Sequence, residues 1–253
     1  MQVISEPAVI TAVAIAGPKD RLLTFLTQTR GGLRLYAKRL SRRFPTTTFY
    51  EPLQGGELVY RISREGAYGR LISFVPQRVW PGVRQDFDRT LQSLAFLELV
   101  NLCITEGEPQ PELFSLFVQF LNRLESEQHP GAARIAATLR LLALIGFAPC
   151  LASCVGCGTA VSAGTGVLLS AEAGGVICRA CQPARGESTV PVTPGAHGFM
   201  LRVLSLPEAQ VRRLRIGRAT EREVARLVDA FIEARTGVWP RAGGFIERLG
   251  NRR

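Results

Sequence analysis

The stretch Cys154-Val155-Gly156-Cys157, followed after twenty residues by Cys178-Arg179-Ala180-Cys181, decides how this chain is read. The spacing C-x2-C-x20-C-x2-C lies at the upper edge of the range for a four-thiolate zinc site. Two residues between thiols let each pair turn around one ion, with backbone N–H groups facing the sulfurs. Four thiolates at about 2.3 Å close a tetrahedron and leave no position open for substrate. The expected cofactor is one structural Zn2+ per chain, held by Cys154, Cys157, Cys178 and Cys181. Function must then lie in what flanks the loop.

Cys150 stands four residues ahead of Cys154 and competes with it as a ligand. Cys-x3-Cys is the poorer chelate beside a Cys-x-x-Cys-Gly turn, so Cys150 is placed outside the set. A redox role for either pair would need a βαβ setting with the pair opening a helix. Two matched pairs in one loop have a simpler explanation in metal. The first dozen residues lack a basic leader and include Glu6, so a reducing cytoplasm is expected, with metal-bound thiols rather than disulfides.

Upstream of the loop the pattern is helical. Residues 94–104 are apolar almost all round, residues 112–127 place Leu113, Phe117, Phe120, Leu121 and Leu124 on one stripe, and residues 132–145 end at Gly146. Further upstream, residues 8–16, 22–27, 33–40, 46–50, 57–62 and 69–75 read as short strands between glycine turns, the signature of a small β-barrel. In the third, Leu33, Leu35 and Ala37 face one way and Arg34, Tyr36 and Lys38 the other. Cations beside an aromatic ring suit single-stranded nucleic acid, whose phosphates need charge and whose bases need a stacking surface. An ordinary solvated strand face has the same composition.

Charge is distributed unevenly. The net charge of the whole chain is +10, with twelve basic and five acidic residues in 1–80, five and eight in 81–150, and fourteen and eight in 151–253. The two ends therefore carry the positive field. Of 31 basic residues only Lys19 and Lys38 are lysine. Arginine's planar fork fits phosphate, although a GC-rich genome gives the same arginine bias without the net charge. With 46% apolar and 21% charged residues the chain buries a core and is not disordered. The longest uncharged run, residues 141–171, contains Gly146, Pro149 and further glycines, so a membrane span is not expected there.

Downstream of the loop, Ser205-x-x-Glu208 and Thr220-x-x-Glu223 read as capping boxes. Arg212, Arg213, Arg215 and Arg218 cluster between them, either on a nucleic-acid path or on a solvated face. His129 and His197 are read in turn-like settings. The chain carries no Walker lysine motif, no His-Glu-x-x-His and no paired carboxylates on a helix. An enzyme is not expected.

Leu144-Ile145-Gly146-Phe147-Ala148-Pro149 leading into Cys154-Val155-Gly156-Cys157-Gly158, and Gly174-Gly175-Val176-Ile177 leading into Cys178-Arg179-Ala180-Cys181, carry a resemblance. On these residues the chain resembles the bacterial RecO family of recombination mediators. The specific motif occupies about residues 141–181, and the order of parts extends the likeness over the whole chain. The resemblance implies an α+β fold: an N-terminal OB-fold β-barrel for DNA binding at 1–80, an α-helical domain at 81–150 and 190–253, and a zinc-binding loop at 151–189 inserted in it. It implies a cytoplasmic, nucleoid-associated protein of DNA repair that binds single- and double-stranded DNA and anneals complementary strands. With RecR it would help load RecA onto strands coated by single-strand binding protein, whose acidic C-terminal tail is a further expected partner. The family's basic stretch matches Arg34, Lys38, Arg39, Arg42 and Arg43, joined by Tyr36 as the stacking ring. Lys38-Arg39-Leu40-Ser41 stands where the family has a small residue or glycine before the arginines. The alternative is a zinc-ribbon adaptor that binds proteins and does not itself anneal DNA.

Overall fold

The structure is a computed structural model and describes residues 3–18, 20–38, 50–62, 69–162, 164, 166–182 and 189–237. Its first five strands are β1 (Val3–Ile15), β2 (Arg21–Thr27), β3 (Gly31–Ala37), β4 (Gly55–Arg61) and β5 (Gly69–Arg78). They close into a barrel of order β1-β2-β3-β5-β4, with β4 returning to β1. This is the small five-stranded barrel of the OB type. β1 reaches both neighbours because it is long: residues 8–15 pair with β2 and residues 3–9 with β4. A bulge between Ile10 and Ala12 bends it, and there Ile10 donates to the Gln54 carbonyl while accepting from Leu53.

Strict alternation fills the barrel. Ile10, Leu23, Phe25, Leu35, Leu58 and Tyr60 are wholly buried inside it. Burying Tyr60 also buries its hydroxyl, which donates to Glu6 Oε1 at 2.6 Å. The other Glu6 oxygen accepts from the Thr29 N–H and hydroxyl, so a carboxylate in the core is fully partnered. Burial, then the hydrogen bond to Glu6, pushes the Tyr60 phenol well above its ordinary range. Glu6 and Pro7 break the apolar alternation at the start of β1, which is why the strand begins five residues before its expected start at residue 8. Of the strand expected over 46–50, all but Tyr50 lies outside the described residues, and Tyr50 is a buried non-strand residue.

The helices that follow are α1 (Pro81–Gln85), α2 (Phe87–Cys103), α3 (Pro111–Leu124) and α4 (Pro130–Leu144). After the cysteine loop come α5 (Pro194–Ser205), α6 (Glu208–Val211) and α7 (Arg218–Thr236). Two compact units result: Met1–Arg84 with Val100–Gln119, and Gln85–Leu99 with Phe120–Arg253. None of the helices among the described residues is long and apolar enough to cross a membrane.

In the first unit, the segment after α2 lies along the start of β3. The Gly32 N–H donates to Thr105 and the Gly107 N–H to Gly32. Gln110 fixes the segment by accepting from the Thr105 N–H and donating to the Cys103 carbonyl. In the second unit α4 is the core, buried from Gly131 through Leu139. Its buried Arg134 donates to Gln92 Oε1 at 2.7 Å and lies 3.5 Å from Asp229.

Three local features depart from the sequence pattern. Ser205 ends α5, its hydroxyl donating to the Leu201 carbonyl, and Pro207 occupies the N-cap of α6. Thr220 lies inside α7, which begins after Gly217. Neither capping box forms, because tertiary contacts take both glutamates. Glu208 faces Arg123, Arg140 and Arg212, and Glu223 reaches Thr193. His197 is not in a turn but buried in α5, where its Nε2–H donates to the Leu151 carbonyl at 2.7 Å. That bond ties the helical core to the start of the cysteine loop.

Candidate metal centre and nucleic-acid face

The cysteine loop carries its own sheet: β6 (Val167–Ser170), β7 (Gly175–Cys178) and β8 (Thr189–Val192), in the order β7-β6-β8. The first Cys-x-x-Cys turn is laid against β7 by backbone bonds from Val155 N–H to Val176 and from Val176 N–H to Cys150. Gly175 permits this approach, since a side chain there would collide with the Cys150 carbonyl at 2.4 Å. Gly158 closes the turn at φ +73°, a conformation that suits the glycine of Cys-x-x-Cys-Gly. The second pair sits where β7 ends and a single 3-10 turn, Arg179–Cys181, begins.

These elements bring the sulfurs of Cys154, Cys157, Cys178 and Cys181 within 4.8 Å of one another. Cys157 and Cys178 are 3.8 Å apart, which is about the edge of a tetrahedron whose metal–sulfur bonds are about 2.3 Å. The buried Cys154 sulfur accepts N–H groups from Cys178 at 3.3 Å and Gly156 at 3.4 Å. Hydrogen bonding from the backbones of Cys178 and Cys157 lowers the Cys154 thiol to about 6 despite its burial. The Cys181 thiol is pushed up to about 12, chiefly by its hydrogen bonds with Cys157 and Cys178. Four sulfurs so close, one already favoured as thiolate, form a donor set that fits a metal ion. Cys150 is outside it, exposed, with its sulfur beside Ser153.

On the barrel, Leu33, Leu35 and Ala37 are buried while Arg34 and Tyr36 are half-buried and Lys38 is exposed. Arg34 is not a free cation: its guanidinium pairs with Glu106, the residue the post-α2 segment lays beside β3. Arg39, Arg42 and Arg43 lie outside the described residues. Two further cations share the face. Tyr36 is in register with Arg70 on β5, and Arg70 with Arg61 on β4, so a ring and two exposed guanidiniums form a row across three strands. In their own strands Arg61 and Arg70 follow and precede the inward-facing Tyr60 and Leu71. Alternation could therefore have flagged them as outward-facing, but not as neighbours of Tyr36.

The chain is similar to known proteins over most of its length. The family described as "Recombination protein O C terminal" matches residues 84–242. A "DNA repair protein RecO" of Desulforudis audaxviator (strain MP104C) is 29% identical over 249 residues, 97% of this chain and 96% of that protein. One from Rubrobacter xylanophilus is 31% identical over 225 residues, 86% of each chain. Another, from Desulfitobacterium hafniense (strain DSM 10664 / DCB-2), is 29% identical over 223 residues, 86% of this chain and 79% of its own. The family match covers more than half of the sequence and includes the whole cysteine loop, and on that ground the chain belongs to the RecO family of recombination proteins.

Proposed function

We propose that this chain acts in DNA repair as a DNA-binding mediator that anneals complementary strands through the outward face of its barrel. The observation that carries the reading is the row Tyr36–Arg70–Arg61 beside Arg34 and Lys38. One surface offers a base-stacking ring and several phosphate-binding cations. Annealing needs no catalytic residue. Cations offset the repulsion between two phosphate backbones, and base pairing drives the product. In this reading RecR and the acidic tail of single-strand binding protein are partners, and strands coated by that protein are the substrate on which RecA is loaded. In this reading the barrel is the DNA-binding part, and the helices of the second unit carry the cysteine loop.

The metal is zinc, held structurally by Cys154, Cys157, Cys178 and Cys181. A closed set of four thiolates supplies rigidity and no Lewis-acid chemistry to a substrate. The test is annealing of complementary oligonucleotides coated with single-strand binding protein, with and without this chain. Accelerated annealing that weakens steeply with salt supports the reading. If Lys38→Glu, Arg61→Glu and Arg70→Glu together leave DNA binding unchanged, the barrel face is not the site. If the chain captures single-strand binding protein but anneals nothing, it is an adaptor.

A further inference from the structure

Between Arg212 and Arg226 the chain places six arginines in fifteen residues, and all six are exposed. Arg218, Arg222 and Arg226 recur every fourth residue along α7, so they form one stripe with about 6 Å of helical rise between successive members. Arg212, Arg213 and Arg215 lead into that stripe from the turn before it.

Two carboxylates lie in the same stretch, and both are drawn elsewhere. Glu221 is packed towards α4, its Oε1 lying where a side chain on Gly131 would begin. Glu223 accepts the N–H of Thr193 at 2.7 Å and its hydroxyl at 2.6 Å. Arg212 has a distant partner in Glu208, at 4.0 Å. Arg213, Arg218 and Arg222 form no salt bridge with any described residue. The positive stretch has an end. Further along α7, Glu233 joins Glu223 and Glu172 of the β6–β7 turn in lining the groove that Arg222 and Arg226 also wall.

A linear array of exposed guanidiniums, six against two carboxylates in the same stretch and half of it mounted on a helix, matches a linear polyanion. Among its described residues the stretch 212–226 has no aromatic side chain, so it offers charge to a phosphate backbone and no stacking surface to bases. We infer that the arginine face from Arg212 to Arg226 is a second nucleic-acid site, binding the phosphate backbone without regard to base sequence or strandedness. This inference rests on the reading of the chain as a DNA-binding protein and adds a surface in the second unit. It gives the chain one site that takes an unpaired strand by stacking and another that takes a backbone by charge alone.

The test is the full-length triple variant Arg213→Gln, Arg218→Gln, Arg222→Gln, with duplex and single-stranded oligonucleotides titrated at several salt concentrations. Duplex affinity is expected to fall about tenfold or more. The slope of log K against log salt should become shallower by about 0.9 for each lost phosphate contact. Single-strand binding should be weakened less. A duplex affinity within about twofold of the parent, with an unchanged slope, overturns the inference. So does loss of binding to poly-glutamate with DNA binding intact, because the face would then meet acidic protein segments. A Tyr36→Ala, Lys38→Ala variant run in parallel separates the two readings. If that variant binds single strands normally, the barrel proposal fails whatever the arginine variant does. An unshifted melting temperature in the triple variant establishes that a loss of binding is not a loss of fold.

Discussion

Tyr36 on β3 stands directly beside Arg70 on β5, where these two strands run parallel. Arg70 is itself paired with Arg61, so the phenol ring has two guanidiniums in line with it. A base stacked on Tyr36 would place its phosphates within reach of cations already fixed by strand register. Tyr36→Ala is expected to weaken binding of a short single-stranded oligonucleotide by about 1–3 kcal/mol, and Tyr36→Phe to retain most of the affinity. Arg61→Ala and Arg70→Ala should each reduce the salt slope by about 0.7. Fluorescence anisotropy at several salt concentrations reads both effects, and an unaltered Tyr36→Ala removes the row from the site.

Which parts of this site could be read in the sequence follows from the range of the interactions involved. The Cys-x-x-Cys pairs are local, and the sulfurs meet as their spacing requires. The outward placement of Arg34 and Tyr36 is also local, fixed by the period of one strand. The Tyr36–Arg70 pairing is not, because it depends on the parallel β3–β5 contact that closes the barrel. No periodicity within a strand encodes that register. The same reason defeated both expected capping boxes. Thr220-x-x-Glu223 satisfies the local pattern, yet Glu223 caps α5 from a distance of 30 residues, and Thr193 supplies the matching hydroxyl to the Ala196 N–H. A reciprocal cap is present, but its halves belong to different helices.

Glu106 occupies the guanidinium of Arg34 and thereby competes with phosphate for it. Its segment is held by the backbone of Gly32 and by Gln110, so the carboxylate is fixed beside β3. Both side chains are close to half exposed, at 40% and 48%. Such a pair is worth no more than about 1 kcal/mol. Glu106→Gln is therefore expected to raise single-strand affinity by roughly two- to fivefold. Reduced affinity would mean that Glu106 orients Arg34 for its ligand rather than competing for it.

Removal of the metal should loosen the loop and leave the barrel intact. The cysteine turns are tied to β7 by a few backbone bonds, and His197 ties the loop to α5. Cys154→Ser and Cys178→Ser are expected to abolish bound metal and raise hydrogen exchange across residues 150–192. Cys150→Ser should keep one metal per chain, since its sulfur lies outside the cluster. Metal analysis by mass spectrometry decides the stoichiometry and the identity of the ion. A Cys154→Ser protein with full metal content would mean that Cys150 had taken its place.

Two carboxylates of the second unit should respond to pH with opposite signs. Burial works to raise Glu127, but the Arg123 guanidinium at 3.0 Å and the N–H groups of His129 and Gln128 outweigh it and hold the carboxyl below its usual range. A depressed folded value means stability that is present above the unfolded value of about 4.3 and is lost as pH falls through the folded one. Glu127→Gln should cost about 1–3 kcal/mol at neutral pH and progressively less in acid. Glu221 is the reverse case: burial raises its carboxyl, and the nearby positive charge of His129, Arg134 and Arg218 only partly offsets this. Its contribution is present below the unfolded value and lost as pH rises through the folded one, so at pH 7 the ionised group destabilises the unit. Glu221→Gln is expected to raise the denaturation midpoint at pH 7 and to have little effect near pH 4. Because Glu127 is among the charges that raise Glu221, each single change already relieves their repulsion, so the double variant should be less stable than the two single changes sum to. Urea unfolding of the four proteins at both pH values measures the coupling, and strict additivity would mean that the two carboxylates do not interact.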